Sequence, residues 1–187
     1  MSEVRAPERM SAEDWAEAEF GPNRDAVLAA FAGIAAALSE GTSLDALLGL
    51  IVAQVCELTG VSRCAVYLLD EKTGTFPGHA GCQHGVDIGP GVRRSVAGLE
   101  ADGFAREIVQ TRAPVFVSDA ALDPRPVRSA MRAWDVRAML GVPMVLAGEV
   151  IGILYLDNEQ QPHPFSRATR DISVAFADLA AMAIAQA

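Results

Sequence analysis

The chain has 187 residues, 51% of them apolar, and 24 acidic against 15 basic side chains give it a net charge of −9. Such a length fits one domain with a tail, and the apolar share is enough for a core covered on two sides. The charge argues against sequence-independent binding to nucleic acid or an anionic membrane, which needs clustered Lys and Arg; no apolar run spans a bilayer and the N-terminus lacks a signal-peptide core.

Residues 1–24 are acidic, hold Pro7 and Pro22 and lack a sustained apolar period, so they read as a flexible tail with at most a turn of helix near Trp15. The folded domain is expected over residues 25–187. Val27, Leu28, Phe31, Ile34 and Leu38 recur at helical spacing, and Gly41 stops that helix. Thr42 to Asp45 reads as a capping box for a second helix with a stripe from Leu44 to Leu58, ended by Gly60. "RCAVYLLD" predicts a strand from Arg63 to Asp70, and "EKTG" turns it into another from Thr75 to about Ala80. The glycine-rich stretch from Gly81 to Gly98 reads as loop. A short helix up to Arg112, a strand "PVFVSD" and a brief helix from Arg128 to Trp134 follow. Two strands, Arg137 to Leu146 and Glu149 to Asp157, precede a last helix that opens at Ser166 and carries Ile172, Phe176, Leu179 and Ala183 on one side. The order implies an α+β fold with a mostly antiparallel sheet.

The strand Glu149 to Asp157 is the most informative. By alternation Val150, Gly152, Leu154 and Leu156 share one face and Ile151, Ile153, Tyr155 and Asp157 the other. A half-exposed strand alternates apolar with polar residues; this one is apolar on both faces, so both must be covered. Helices suit the Gly152 face, where a missing side chain permits close approach. The irregular segments Gly81 to Arg112 and Ser118 to Trp134 remain for the other, and loops laid over a sheet leave room for a small-molecule pocket.

"VRAMLGVPMVLAGEVIGILYLDNE" with the following "FS", and "DGFAREIVQTRAPVFVSDAALDP" before it, resemble the closing and middle signatures of GAF domains. These are ligand-sensing modules of signalling proteins. The resemblance implies a central sheet, a helical bundle of the N- and C-terminal helices on one face and a pocket under loops and short helices on the other. It further implies a non-catalytic, cytoplasmic sensor that binds a small apolar or aromatic ligand. Its end helices would form a homodimer and signal to an output domain absent from this sequence, most often a DNA-binding transcription regulator. No direct nucleic-acid contact and no membrane contact is expected of the domain itself.

Strand alternation nominates Ala65, Tyr67, Met139, Gly141, Pro143, Ile153, Tyr155 and Asp157 as the pocket face, with Val127, Met131 and Trp134 as lids and Phe104 in the wall. Tyrosine rings with hydroxyl handles suit a largely apolar ligand with one or two polar atoms. Arg125, Arg128 and Arg132 are candidates to meet a phosphate or carboxylate or to form a solvated face. "DPRPVRSAMRAWD" lacks the cyclic-nucleotide constellation of the phosphodiesterase-type relatives, and no Cys or His between Ser118 and Arg137 offers bilin attachment. Three cysteines, Cys56, Cys64 and Cys82, without CxxC spacing, point to free thiols in a reducing cytoplasm and to no structural zinc. No cysteine follows Cys82, which speaks against the methionine-sulfoxide-reducing branch of the family. No cofactor is expected. Two alternatives stay open: a ligand-free dimerisation module, and a haem or redox sensor through His79, His84 and Cys82 of "GHAGCQHG".

Overall fold

The structure, a computed structural model, describes residues 24–159, 162–163 and 165–186. The predicted tail and its turn near Trp15 lie outside them, save for Arg24.

The two apolar stripes at the start become α1 (Arg24–Ser39) and α2 (Leu44–Thr59). Gly41 and Gly60 follow them at φ of 72° and 68°, the left-handed conformation that glycine adopts without steric cost. Ser43, one residue beyond the expected cap, takes the Ala46 N–H on its hydroxyl at the start of α2. There follow β1 (Arg63–Leu68), β2 (Thr75–Gln83), β3 (Val86–Asp87), α3 (Gly89–Val92), β4 (Val96–Gly98), α4 (Gly103–Thr111), β5 (Val115–Val117), α5 (Arg128–Ala133), β6 (Val136–Leu146), β7 (Glu149–Glu159) and α6 (Arg167–Gln186). Ser166 caps α6 through the Thr169 N–H at 3.0 Å. Among the described residues the strands form one antiparallel sheet in the order β3-β2-β1-β7-β6-β5, with β4 on β2.

Both faces of β7 are covered: Gly152 to Asp157 are all buried. On one side Leu154 and Leu156 pack with Leu48 and Ile51 of α2, Ile34 of α1 and Phe176 of α6. On the other, Ile153 and Tyr155 pack with Phe76 of β2 and with Phe104 and Ile108 of α4. This is the two-sided burial that the uniformly apolar strand requires.

Three expectations change. The stretch Gly81 to Gly98 is not loop: β2 runs on to Gln83, and β3, α3 and β4 follow. The glycines of β2 permit close packing of α3, because an added Cβ would strike the Val92 carbonyl from Gly78 and come within 2.6 Å of Val92 Cγ2 from Gly81. The simple alternation of β7 also breaks. Met144 pairs with Gly152 and Val145 with Val150, so Ile151 is an extra residue opposite the turn. Such a bulge reverses the faces beyond it; Val150 joins the α4 side and Ile151 the helix-bundle side. Finally, the space at Gly152 is taken by the Met144 side chain and the Tyr67 carbonyl, not by a helix.

Candidate functional site

Between the sheet and the α3–β4 and α5 segments lies a cavity of about 510 Å³. Its floor comes from alternate residues of the central strands: Arg63, Ala65 and Tyr67 of β1, Met139 of β6, and Tyr155 and Asp157 of β7. Ala65 stands opposite Tyr155 and Arg63 opposite Asp157 in the antiparallel register, so the pleat alone brings them together. The roof is Val92, Ser95 to Gly98, Ala101, Asp102 and the α5 region from Val127 to Trp134.

The floor holds one buried ion pair. Arg63 donates from Nε to Asp157 Oδ2 at 3.0 Å and from Nη2 to Oδ1 at 2.6 Å. Nη2 also donates to the Trp134 carbonyl at 2.7 Å, and the guanidinium lies 5.1 Å from the Trp134 ring. Arg63 thus ties the roof to the floor. Burial pushes the Asp157 carboxyl up to about 6, outweighing the attraction of Arg63. Burial also raises the Asp102 carboxyl, although that group caps α4 by accepting the Phe104 and Ala105 N–H groups.

The two tyrosines differ. Tyr67 and Tyr155 meet edge to face at 5.2 Å. The Tyr67 hydroxyl bonds Ser95 Oγ at 2.8 Å. The Tyr155 hydroxyl is buried with no partner among the described residues, and burial drives its pKa well above the ordinary range. A buried hydroxyl without a hydrogen bond costs about 1–3 kcal/mol, so the native fold tolerates this group rather than being held by it.

Of the residues nominated from the sequence, Ala65, Tyr67, Val127, Met131, Trp134, Met139, Tyr155 and Asp157 line the cavity. Phe104, Gly141 and Ile153 do not. Phe104 and Ile108 of α4 sit directly over Gly141, where a Cβ would collide with Ile108, so this part of the face is filled by a helix. Phe104 and Ile153 are wholly buried in that packing, and Phe104 stacks behind Tyr155 at 6.2 Å. Pro143, paired with Ile153, is likewise outside the cavity. Arg63, Ser95 and Asp102 were missed. Arg63 shares the parity of Ala65 and Tyr67 and was available from alternation; Ser95 and Asp102 lie on segments whose path only tertiary packing fixes.

The histidine–cysteine loop is elsewhere. His79 bonds Asp45 of α2 at 2.7 Å, on the helix side, and His84 stands 3.4 Å from Glu159 at the sheet end. Cys82 faces Cys64 across the β1–β2 register, and Cys56 of α2 points its Sγ at the Cys82 carbonyl, 3.6 Å away. All three thiols are buried against the helices, not at the cavity. The arginines are engaged too: Arg125 bridges Asp123 and Glu107 at 2.6 and 2.7 Å, and Arg128 donates to the Ala120 and Ala121 carbonyls. Arg132 is exposed.

A search of curated protein sequences found no match. Solved structures share the architecture. The GAF domain of an Acinetobacter phosphoenolpyruvate-protein phosphotransferase superposes with a TM-score of 0.69 at 25% identity, over 86% of this chain and 93% of that one. The equivalent domain from Coxiella burnetii gives 0.72 at 23% identity, with the same coverage. Free methionine-R-sulfoxide reductase from Neisseria meningitidis, solved with its substrate, gives 0.65 at 16% identity over 81% of this chain and 84% of that one. The sequence itself matches the GAF domain profile over residues 43–184. Sheet order, helical backing, roofed cavity and sequence profile agree: the chain belongs to the GAF domain family.

Proposed function

We propose that this domain is a non-catalytic sensor that takes a small, largely apolar or aromatic molecule into the cavity over β1 and β7. The observation that carries the reading is a cavity of about 510 Å³ whose lining is mostly apolar and includes the side chains of Tyr67, Met131, Trp134, Met139 and Tyr155. That volume is of the usual size for small-molecule sites. A non-catalytic role is supported by the lining, which among the described residues contains no cysteine or histidine; the sulfoxide reductase with the same fold is therefore a relative in architecture. The proposal takes no cofactor.

Signalling in this reading runs through α1 and α6 of a cytoplasmic homodimer to an output domain, a DNA-binding one by the resemblance of the sequence. Leu28 of α1 and Met182 of α6 remain more than half exposed, which supports an apolar partner for these helices. Arg63 supplies the coupling: it holds Trp134 of the roof to Asp157 of the sheet whose other face carries the helices.

A thermal-shift screen with small aromatic compounds tests the reading. A ligand at a hundredfold excess over its Kd raises the melting temperature by about 5–10 °C for a domain of this size. A broad aromatic panel that leaves the melting temperature unmoved would favour a ligand-free dimerisation module.

A further inference from the structure

The cavity holds one engaged cation and one carboxylate outside any ion pair among the described residues. Three charged side chains line it, Arg63, Asp157 and Asp102. The guanidinium is committed to Asp157 and to the Trp134 carbonyl, and its Nη1 stands 3.7 Å from Glu159. Asp102 makes no ion pair among the described residues, although the charge of Arg106 reaches it: both backbone N–H groups that it accepts land on Oδ1, and no hydrogen bond among the described residues takes Oδ2. Arg106, the cation closest in sequence, donates to the Leu99 and Glu100 carbonyls instead. Proton positions on the hydroxyls follow by elimination. Ser95 Oγ donates its single proton to the Val92 carbonyl at 2.6 Å, so the Tyr67 hydroxyl must donate to Ser95. Tyr67 then offers the cavity only a lone pair. Neutral donors remain in the Trp134 indole N–H and the Ser129 hydroxyl, which take part in no hydrogen bond among the described residues, while the Tyr155 hydroxyl is sealed from solvent.

Resting on the sensor reading above, we propose that the cavity selects a neutral or cationic aromatic compound bearing N–H or O–H donors, with Asp102 as the subsite for a protonated amine, and rejects organic anions. A carboxylate ligand would meet the Asp102 charge, while the guanidinium that could receive it is already held by Asp157 and the Trp134 carbonyl. An ammonium group meets a carboxylate whose partial desolvation has already been met by folding, and charge-assisted hydrogen bonds of this kind are the strong ones. The apolar remainder, Ala65, Val127, Met131 and Met139, with the Trp134 ring, accommodates the aromatic body.

Three probes of one shape decide the matter: tyramine, tyrosol and 4-hydroxyphenylacetate, which carry a positive, neutral and negative group on the same ring and chain. Calorimetry and thermal shift on the full chain at neutral pH should rank tyramine first, tyrosol next and the anion last, with roughly tenfold or more between the ends. Asp102→Asn, which keeps a good helix cap, should abolish the advantage of tyramine over tyrosol. Tightest binding by 4-hydroxyphenylacetate would overturn the charge selectivity while the sensor reading stands. A tyramine preference that survives Asp102→Asn would overturn the subsite. Failure of all three probes to bind at millimolar concentration would overturn the selectivity and the aromatic-sensor reading together. The ranking is measured on the unaltered protein, so it stands whether or not the variant folds.

Discussion

Tyr155 separates the part of a side chain that packs from the part that finds no partner. Its ring is buried between Tyr67 and Phe104, but its hydroxyl bonds to nothing among the described residues. Tyr155→Phe should therefore leave the urea midpoint unchanged or raise it, by up to about 1 kcal/mol of stability, while weakening any ligand that engages the hydroxyl. A drop in stability would mean that the hydroxyl has a structural partner. Ala147 is the converse case. It sits at φ of 50° next to Gly148 at 86°, the pair of positive values of a tight β6–β7 turn. Only glycine and asparagine enter that region cheaply, and the Ala147 side chain is exposed. Ala147→Gly should stabilise the domain by about 0.5–1 kcal/mol, read as a rise in denaturation midpoint without a change in slope. The sequence located the turn at this dipeptide; the strain in it shows only in the backbone angles.

Glycines place two of the helices that lie on the cavity side of the sheet. The helix α3 lies on β2 because Gly78 and Gly81 present no side chain, and α4 lies on β6 because Gly141 does not. At Gly78 the obstructing atom is a backbone carbonyl that cannot rotate away, whereas at Gly141 it is the flexible end of Ile108. Gly78→Ala should accordingly cost about 2–3 kcal/mol and loosen the roof, with faster amide exchange across Val92 to Gly98; Gly141→Ala should cost less. Helices and strands with long apolar periods were legible in the sequence, because burial of a continuous stripe dominates their energetics. The segment from Gly81 to Gly98 was not. Its elements are two to four residues long, too short to show a period, and their glycines serve contacts with distant partners. The bulge at Ile151 escaped for a related reason: Val150 and Ile151 are both apolar, so neither choice of face leaves a signature.

At the scale of the whole domain, roof and sheet are joined by one buried ionic link in the cavity floor, Arg63 with Asp157. Folding raises the Asp157 pKa from 3.8 toward about 6. Between those values the folded chain keeps a proton that the unfolded chain has lost, so this carboxyl lowers stability as pH rises through the window and has no further effect above it. The loss is at most about 3 kcal/mol. Asp157→Asn should remove that slope: urea midpoints of variant and native chain should diverge between about pH 4 and pH 6 and run parallel above. The same titration acts on the link from sheet to roof, since Trp134 gives its carbonyl to the guanidinium that Asp157 orients. Parallel curves through the acid range would show that the carboxyl titrates as an ordinary exposed one.

The sequence by itself determined that a central sheet must be covered on both sides, which faces of β1 and β7 look away from the helices, and the family. The first two follow from local periodicity, because side-chain direction alternates with the backbone and apolar surface must leave water; the family follows from the resemblance of the closing and middle motifs. Tertiary structure alone decided where that face is open and where it is filled. Ile153 and Tyr155 lie on the same strand face, yet α4 fills the space over one end and the roof stands off from the other. It also decided which polar groups remain unpaired, since Tyr67 finds Ser95 and Arg63 finds Asp157, while Tyr155 and one oxygen of Asp102 find nothing among the described residues. A pairing between distant segments depends on how the chain crosses itself, and residue spacing carries no record of that.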